Sequence, residues 1–416
     1  MRHETASNRA ALTVVTAIFF IWGFITVLND VLIPHLKSVF TLNYAEVMLV
    51  QFTFFGAYFV MSLPSGKLLS RIGYRHAIIT GLVVAGLGAL LFWPAARLPS
   101  YPLFLLAFFV LATGITVLQV AANPYVSLLG PPRLASSRLN LAQAFNSLGT
   151  TLAPKLGGLA ILSVGVLGAT ELAALPPAQQ LAYRIGQAEM VQLPYIGIAL
   201  VLFVLAFVVW WFHLPPLAAA DGEADDPRHR FADALAHRHV RLGVVAIFLY
   251  VGAEVSIGSF LINYLALPEI GNMSEARAAG FVSLYWGGAM IGRFVGSALL
   301  TRLDPRRVLA AVAAIAAALV LTTMLSRGWI ALGSVVAIGL FNSVMFPNIF
   351  TLGIEKLGPL TGKASSLLVM AIVGGAVIPL AQGMLADRIG VQHAFVLPML
   401  CYLYVVFYGW KGSRVA

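Results

Sequence analysis

Apolar residues in this chain gather into long runs rather than alternating or recurring as a single stripe. Twelve runs stand out, at 11–35, 45–69, 76–94, 102–128, 139–164, 192–213, 241–265, 278–300, 307–326, 328–352, 365–386 and 392–411. Crossing about 30 Å of hydrocarbon takes about 20 mostly apolar residues in a helix. Each run therefore predicts one transmembrane helix, and the expected fold is an all-α membrane protein. Several connections hold only a few residues, which forces neighbouring helices to run antiparallel. The first run follows Arg2 and Arg9 as a signal peptide would, but Trp22, Asn29 and Asp30 interrupt it and no small-x-small cleavage site follows. It is expected to be the first retained span.

The longest polar interval, 214–240, carries Asp221, Glu223, Asp225 and Asp226 and then Arg228, His229 and Arg230. It follows the sixth run, so it predicts a linker between two six-helix bundles, 1–213 and 241–416. A second interval, 165–191, is rich in Ala, Pro and Gln and is expected as an external connection with some helical character. Lysines and arginines concentrate on alternate connections: Lys67, Arg71 and Arg75; Arg133 and Arg138; Arg302, Arg306 and Arg307; Lys356 and Lys363. That bias predicts a multi-pass protein of a bacterial inner membrane with both termini cytoplasmic. Basic loops follow both the second and the eighth runs, in matching places, the sequence form of a parallel repeat.

Composition narrows the function. At 60% hydrophobic and 10% charged residues over 416, with mean hydropathy +0.90, the chain has too little polar surface to cover a soluble globule. The net charge of +10 is scattered between apolar runs, which suits membrane orientation and argues against nucleic acid. A single cysteine, Cys401, excludes an internal disulfide and a Cys-based zinc site. No phosphate loop, metal-ligand spacing or nucleophile–base set is present. The expectation is a monomeric, lipid-embedded transporter without a cofactor, and not an enzyme.

Polar residues inside the runs locate the candidate chemistry. A carboxylate costs about 2.5–3.5 kcal/mol at the centre of a spanning helix, so each needs a reason. Asp30 shares a helical face with Thr26 and Gly23, and Asn29 with Thr26 and Trp22. Asp30 is read as an acceptor for a ligand hydroxyl and as a cation site, the alternative being a solvated acid paired with Lys37. Glu254 is the second cation-coupling candidate, the alternative being an ion pair with Arg293 or Lys155. Lys155, after Pro154, is the least expected charge of all. Thr113, Thr116, Gln119 and Asn123 step along one run, and Asn140, Gln143, Asn146 and Thr150 along the next. Amides and hydroxyls so spaced suit a neutral, hydroxyl-rich ligand, with Trp22, Phe52, Tyr58, Tyr285 and Trp286 available to stack on its apolar face. Interhelical glue is the alternative. In the second half Asn263, Asn342, Asn348 and Gln382 are polar, Pro347 and Pro379 break helices nearby, and Asn342 is the preferred ligand contact.

The segment from Gly66 to Arg75 resembles the loop signature of the major facilitator superfamily, with Ser70 where an aspartate is usual. Leu28-Asn29-Asp30-Val31-Leu32-Ile33-Pro34, Ala121-Ala122-Asn123-Pro124-Tyr125-Val126 and Arg138-Leu139-Asn140-Leu141-Ala142-Gln143-Ala144-Phe145-Asn146-Ser147 resemble its fucose–galactose–glucose cation symporter family. Tyr250-Val251-Gly252-Ala253-Glu254-Val255-Ser256 is similar to the glucose/galactose branch. The resemblance implies import of glucose or galactose by alternating access with H+ or Na+. A fucose or N-acetylglucosamine symporter, a facilitator and an exporter of amphipathic compounds are the alternatives. In the fucose branch a glutamate stands where this chain has Gln119, which binds hydroxyls but carries no proton.

Overall fold

The computed structural model describes residues 2–40, 44–98, 100–161, 174–212, 214–215 and 229–415, and the side chains of Asn29, Asp30, Lys37 and Lys155 lie outside the described residues. All regular structure described is helical. The first half comprises α1 (Arg2–Phe40), α2 (Tyr44–Arg97), α3 (Tyr101–Leu128), α4 (Ala135–Ile161), α5 (Pro177–Glu189) and α6 (Gln192–Phe212). Then come α7 (Phe231–Ala236), α8 (Arg238–Ala266), α9 (Glu275–Leu299), α10 (Pro305–Leu325), α11 (Gly328–Asn342) and α12 (Met345–Gly353). Last are α13 (Thr361–Met370), α14 (Gly374–Ile389), α15 (Val391–Ala394) and α16 (Val396–Phe407), ending in a π-turn at Tyr408–Gly412.

These elements make twelve membrane crossings in two six-helix bundles. The second and third crossings share α2, whose helical path is interrupted only at Gly73, at φ 72° and ψ 172°. A side chain there would clash with its own backbone, so glycine is required. The basic loop expected between 69 and 76 is therefore helical on both sides of one residue. Hydropathy marks the lipid-crossing length, whereas backbone hydrogen bonding continues into the headgroup layer, where Lys67 and Arg71 reach water.

In the other bundle three crossings are broken helices. The tenth pairs α11 with α12, the eleventh joins α13 to α14 through a 3-10 turn at Ala371–Val373, and the twelfth pairs α15 with α16. Pro347 explains the first break, because it has no N–H to give the carbonyl of Ser343 four residues earlier. At the Gly374 position an added Cβ would lie 2.0 Å from the Phe248 carbonyl, so this glycine brings α14 directly against α8. The expected 165–191 connection contains α5, and 216–228 of the expected linker lies outside the described residues.

Among the described residues nine helical stretches are long and apolar enough to cross a membrane, one of them the double-length Leu49–Arg97. α4 and α9 are not among them. These two pack on each other across the halves, so their polar positions face protein instead of lipid. The outward faces are apolar, with Leu193, Trp211, Trp329, Leu325 and Leu380 all exposed.

Candidate transport site and inter-half seam

The halves touch along a row of neutral polar contacts at the ends of the crossings where lysines and arginines cluster. The Ser136 and Thr351 hydroxyls lie 2.6 Å apart. Ser137 Oγ donates to the Ser297 carbonyl at 2.7 Å, and Ser297 Oγ donates back to the Ser137 carbonyl at 3.0 Å. Asn140 Nδ2 donates to Asn348 Oδ1 at 3.3 Å. Ser365 Oγ donates to the Val120 carbonyl at 2.8 Å. Val120 stands four residues before Pro124, so its carbonyl has no helical N–H partner and takes one from the opposite half. Behind this seam, arginines close helix ends. Arg138 donates to the carbonyls of Val126, Ser127 and Pro131 at 3.0, 2.5 and 2.9 Å, binding the last turn of α3. Arg306 pairs with Glu355.

Above the seam, the first half presents a neutral polar centre. Trp22 on α1, Tyr58 on α2 and Gln119 on α3 are all buried. The Tyr58 oxygen accepts from Gln119 Nε2 at 2.6 Å and is also hydrogen-bonded by the Trp22 side chain. Asn123 Oδ1 accepts from Gln143 Nε2 at 3.5 Å, and Asn123 Nδ2 is buried without a partner among the described residues. Asn146 Nδ2 donates to the Phe19 carbonyl at 2.9 Å and ties α4 to α1. That crossing depends on Gly23, where an added Cβ would sit 2.1 Å from the Asn146 carbonyl oxygen. Thr116 and Thr150 return their hydroxyls to their own helices, through the Ala112 and Ser147 carbonyls, as packing residues do. Phe52 and Trp286, two of the expected stacking platforms, are 69% and 40% exposed, whereas Tyr58 and Tyr285 are buried.

In the second half Glu254 is 9% exposed, and its Oε1 has no hydrogen-bond partner among the described residues. Tyr250 hydrogen-bonds its side chain, and Arg293 acts on it as the neighbouring positive charge. Asn342 is wholly engaged: its Nδ2 donates to Tyr285 Oη at 2.7 Å, its Oδ1 accepts from Tyr402 Oη at 2.7 Å, and its carbonyl accepts from Tyr250 Oη at 2.9 Å. Arg293 joins the two halves. Its Nε donates to the Ser343 carbonyl at 3.2 Å, the one freed by Pro347, while Nη1 donates to Ser147 Oγ and, at 3.5 Å, to the Gln143 carbonyl.

The structure thus brings Trp22, Tyr58 and Gln119 into one cluster, pairs Asn123 with Gln143, and places Arg293 between Gln143 and Glu254. It holds Asn342 in a separate tyrosine cage, and Asn29 and Asp30 lie outside the described side chains. Sequence reading missed Ser147, Tyr402 and the Ser343 carbonyl. Counting four residues back from Pro347 would have found the last, and Ser147 stands four residues after Gln143 on the same helical face; nothing marks Tyr402 locally.

Twelve crossings in two bundles, polar side chains buried inside those bundles and a seam closing one end define a membrane transporter. A model of the Major Facilitator Superfamily matches residues 14–379. A Brucella abortus protein named glucose/galactose transporter is 50% identical over 99% of this chain and 97% of its own length. The Escherichia coli L-fucose-proton symporter is 38% identical over 96% of this chain and 92% of its own. The crystal structure of FucP, a transporter of the superfamily in the outward conformation, superimposes with a TM-score of 0.92 at 36% identity, covering 98% of this chain and 100% of that one. The chain belongs to the major facilitator superfamily, a family of transporters and not of enzymes, and its resemblance to the sugar–cation symporter branch is borne out by relatives of both kinds.

Proposed function

We propose that this protein imports a neutral hexose, glucose or galactose, together with H+ or Na+ by alternating access. The observation that carries this reading is the character of the centre: amides, tyrosines and an indole, with Glu254 as the buried acid and Arg293 already occupied by backbone and hydroxyl oxygens. A hydroxyl-rich, uncharged ligand matches that set, because each amide accepts and donates at once. The relative at 50% identity carries the name glucose/galactose transporter, and neutral Gln119 stands where the fucose branch has an acid, which supports glucose or galactose over fucose.

In this reading Trp22, Asn29, Asp30, Gln119, Asn123, Gln143 and Asn146 serve the sugar, Asp30 and Glu254 serve the cation, and Asn342, expected from sequence as a ligand contact, is spent on Tyr285 and Tyr402 instead. The bundles 1–213 and 241–416 rock about that centre as a monomer, joined by 214–240, with both termini on the cytoplasmic side of the inner membrane. The seam then closes the cytoplasmic end, as in an outward-open state. The test is Asp30→Asn in proteoliposomes. Accumulation of glucose should fall to equilibration while exchange of labelled for unlabelled sugar continues. Undiminished accumulation would remove Asp30 from coupling, and competition by N-acetylglucosamine or fucose in preference to glucose would reassign the substrate.

A further inference from the structure

Resting on the symport reading, we propose that Arg293 is a coupling switch, held by α4 while the seam is closed and transferred to Glu254 when it parts, displacing a proton that Glu254 has carried. The guanidinium has two kinds of partner. Nε is anchored within its own half, on the Ser343 carbonyl at 3.2 Å. Both partners of Nη1, Ser147 Oγ and the Gln143 carbonyl, belong to the opposite half. A rocking movement that separates α4 from α9 leaves the first bond in place and removes the other two. A guanidinium so stripped in a low-dielectric interior must find another acceptor.

Glu254 supplies one. Its Oε1 is buried and without a partner, and no ion pair joins it to a base among the described residues in this closed arrangement. The titratable groups described around it are Tyr250 on its own helix, Arg293 and Tyr285 from α9, and Tyr402 from α16. The step balances. A protonated Glu254 carboxyl and an Arg293 cation become a carboxylate–guanidinium pair, and the O–H proton passes to water entering from the newly opened side. The closed seam holds the cation on α4 and unpaired with the acid, so proton release waits for opening, which is what symport requires.

Purified protein in liposomes with an entrapped pH dye tests this. Labelled glucose exchange, glucose accumulation and glucose-driven proton entry would be followed for wild type, Glu254→Gln, Arg293→Gln and the charge-retaining Arg293→Lys. Glu254→Gln should lose proton entry and bring a tenfold accumulation ratio down to one, and its remaining exchange should lose its pH dependence. Arg293→Gln should slow net uptake at least tenfold at internal pH 7 and recover at internal pH 9, where hydroxide removes the proton unaided; Arg293→Lys should lie between. A purely structural brace gives the same loss at every internal pH. Accumulation by Glu254→Gln at the wild-type level, or an Arg293→Gln defect indifferent to internal pH, overturns the switch while leaving hexose transport intact. Wild-type protein that exchanges no hexose removes the transport reading and the switch with it.

Discussion

Asn140→Ala probes the energetics of the closed seam. Asn140 and Asn348 are both fully buried and meet at 3.3 Å across the halves, a contact that exists only while that end is shut. Interhelical hydrogen bonds inside membranes are worth about 0.6–2 kcal/mol each. Removing this one also strands the Asn348 amide, whose Nδ2 already has no partner. The closed state should lose about 1–2 kcal/mol relative to the open one, which multiplies the open-to-closed ratio by about 5–30. Cys401 is the sole cysteine and is buried, so a Cys401→Ala background accepts spin labels cleanly. Labels at Arg133 and Arg302, both exposed and one in each half, report the separation of the basic ends. Asn140→Ala should move population from the short to the long distance. An unchanged distribution would show that this amide pair carries none of the closure energy and would refute the seam as a neutral latch.

Three further perturbations follow from the same geometry. Gly23→Ala forces a Cβ into the Asn146 carbonyl, and overpacking of this kind costs about 1–3 kcal/mol; thermal unfolding in detergent should shift down by several degrees, and an unchanged Tm would mean the α1–α4 crossing relaxes freely. Tyr58→Phe removes the acceptor of both Gln119 and Trp22, so the KM for sugar should rise by about 5–30-fold with the fold intact, and an unaltered KM would place this cluster outside the binding site. Arg138→Gln gives up bonds to three carbonyls at the end of α3, and it should lower stability by about 1–3 kcal/mol without changing substrate preference, as ligand-protected unfolding against a sugar panel would read.

The twelve crossings were legible because lipid imposes one simple requirement on sequence, about 20 apolar residues at a time, which the described residues meet in every crossing but α4 and α9. Helix ends were less so: the loop around Gly73 reads as polar and basic, yet its backbone stays helical to either side of that residue. Hydropathy reports the solvent of side chains and says nothing of where backbone hydrogen bonding stops. The stripes on α3 and α4 identified Gln119, Asn123, Gln143 and Asn146 as inward-facing, since helical spacing alone brings them to one side. Their partners were beyond reach. Tyr58 meets Gln119 across 61 positions and Arg293 meets Ser147 across 146, and no local pattern encodes such pairings. Asn342 shows the other limit, because a lone amide reads identically whether it faces a ligand or, as here, three tyrosine hydroxyls. The proline-freed carbonyls of Val120 and Ser343 are intermediate: the chain announces the unmet acceptor, and only the fold says that Ser365 and Arg293 supply the donors.

Gradient-driven movement of a hexose is read out by uptake of radiolabelled glucose into proteoliposomes with a proton gradient and a sodium gradient imposed separately. Accumulation above equilibrium under one of the two gradients, competed by galactose, is the predicted result and names the cation. Equilibration under both would reduce the protein to a facilitator, and absence of flux for every sugar offered would contradict the account.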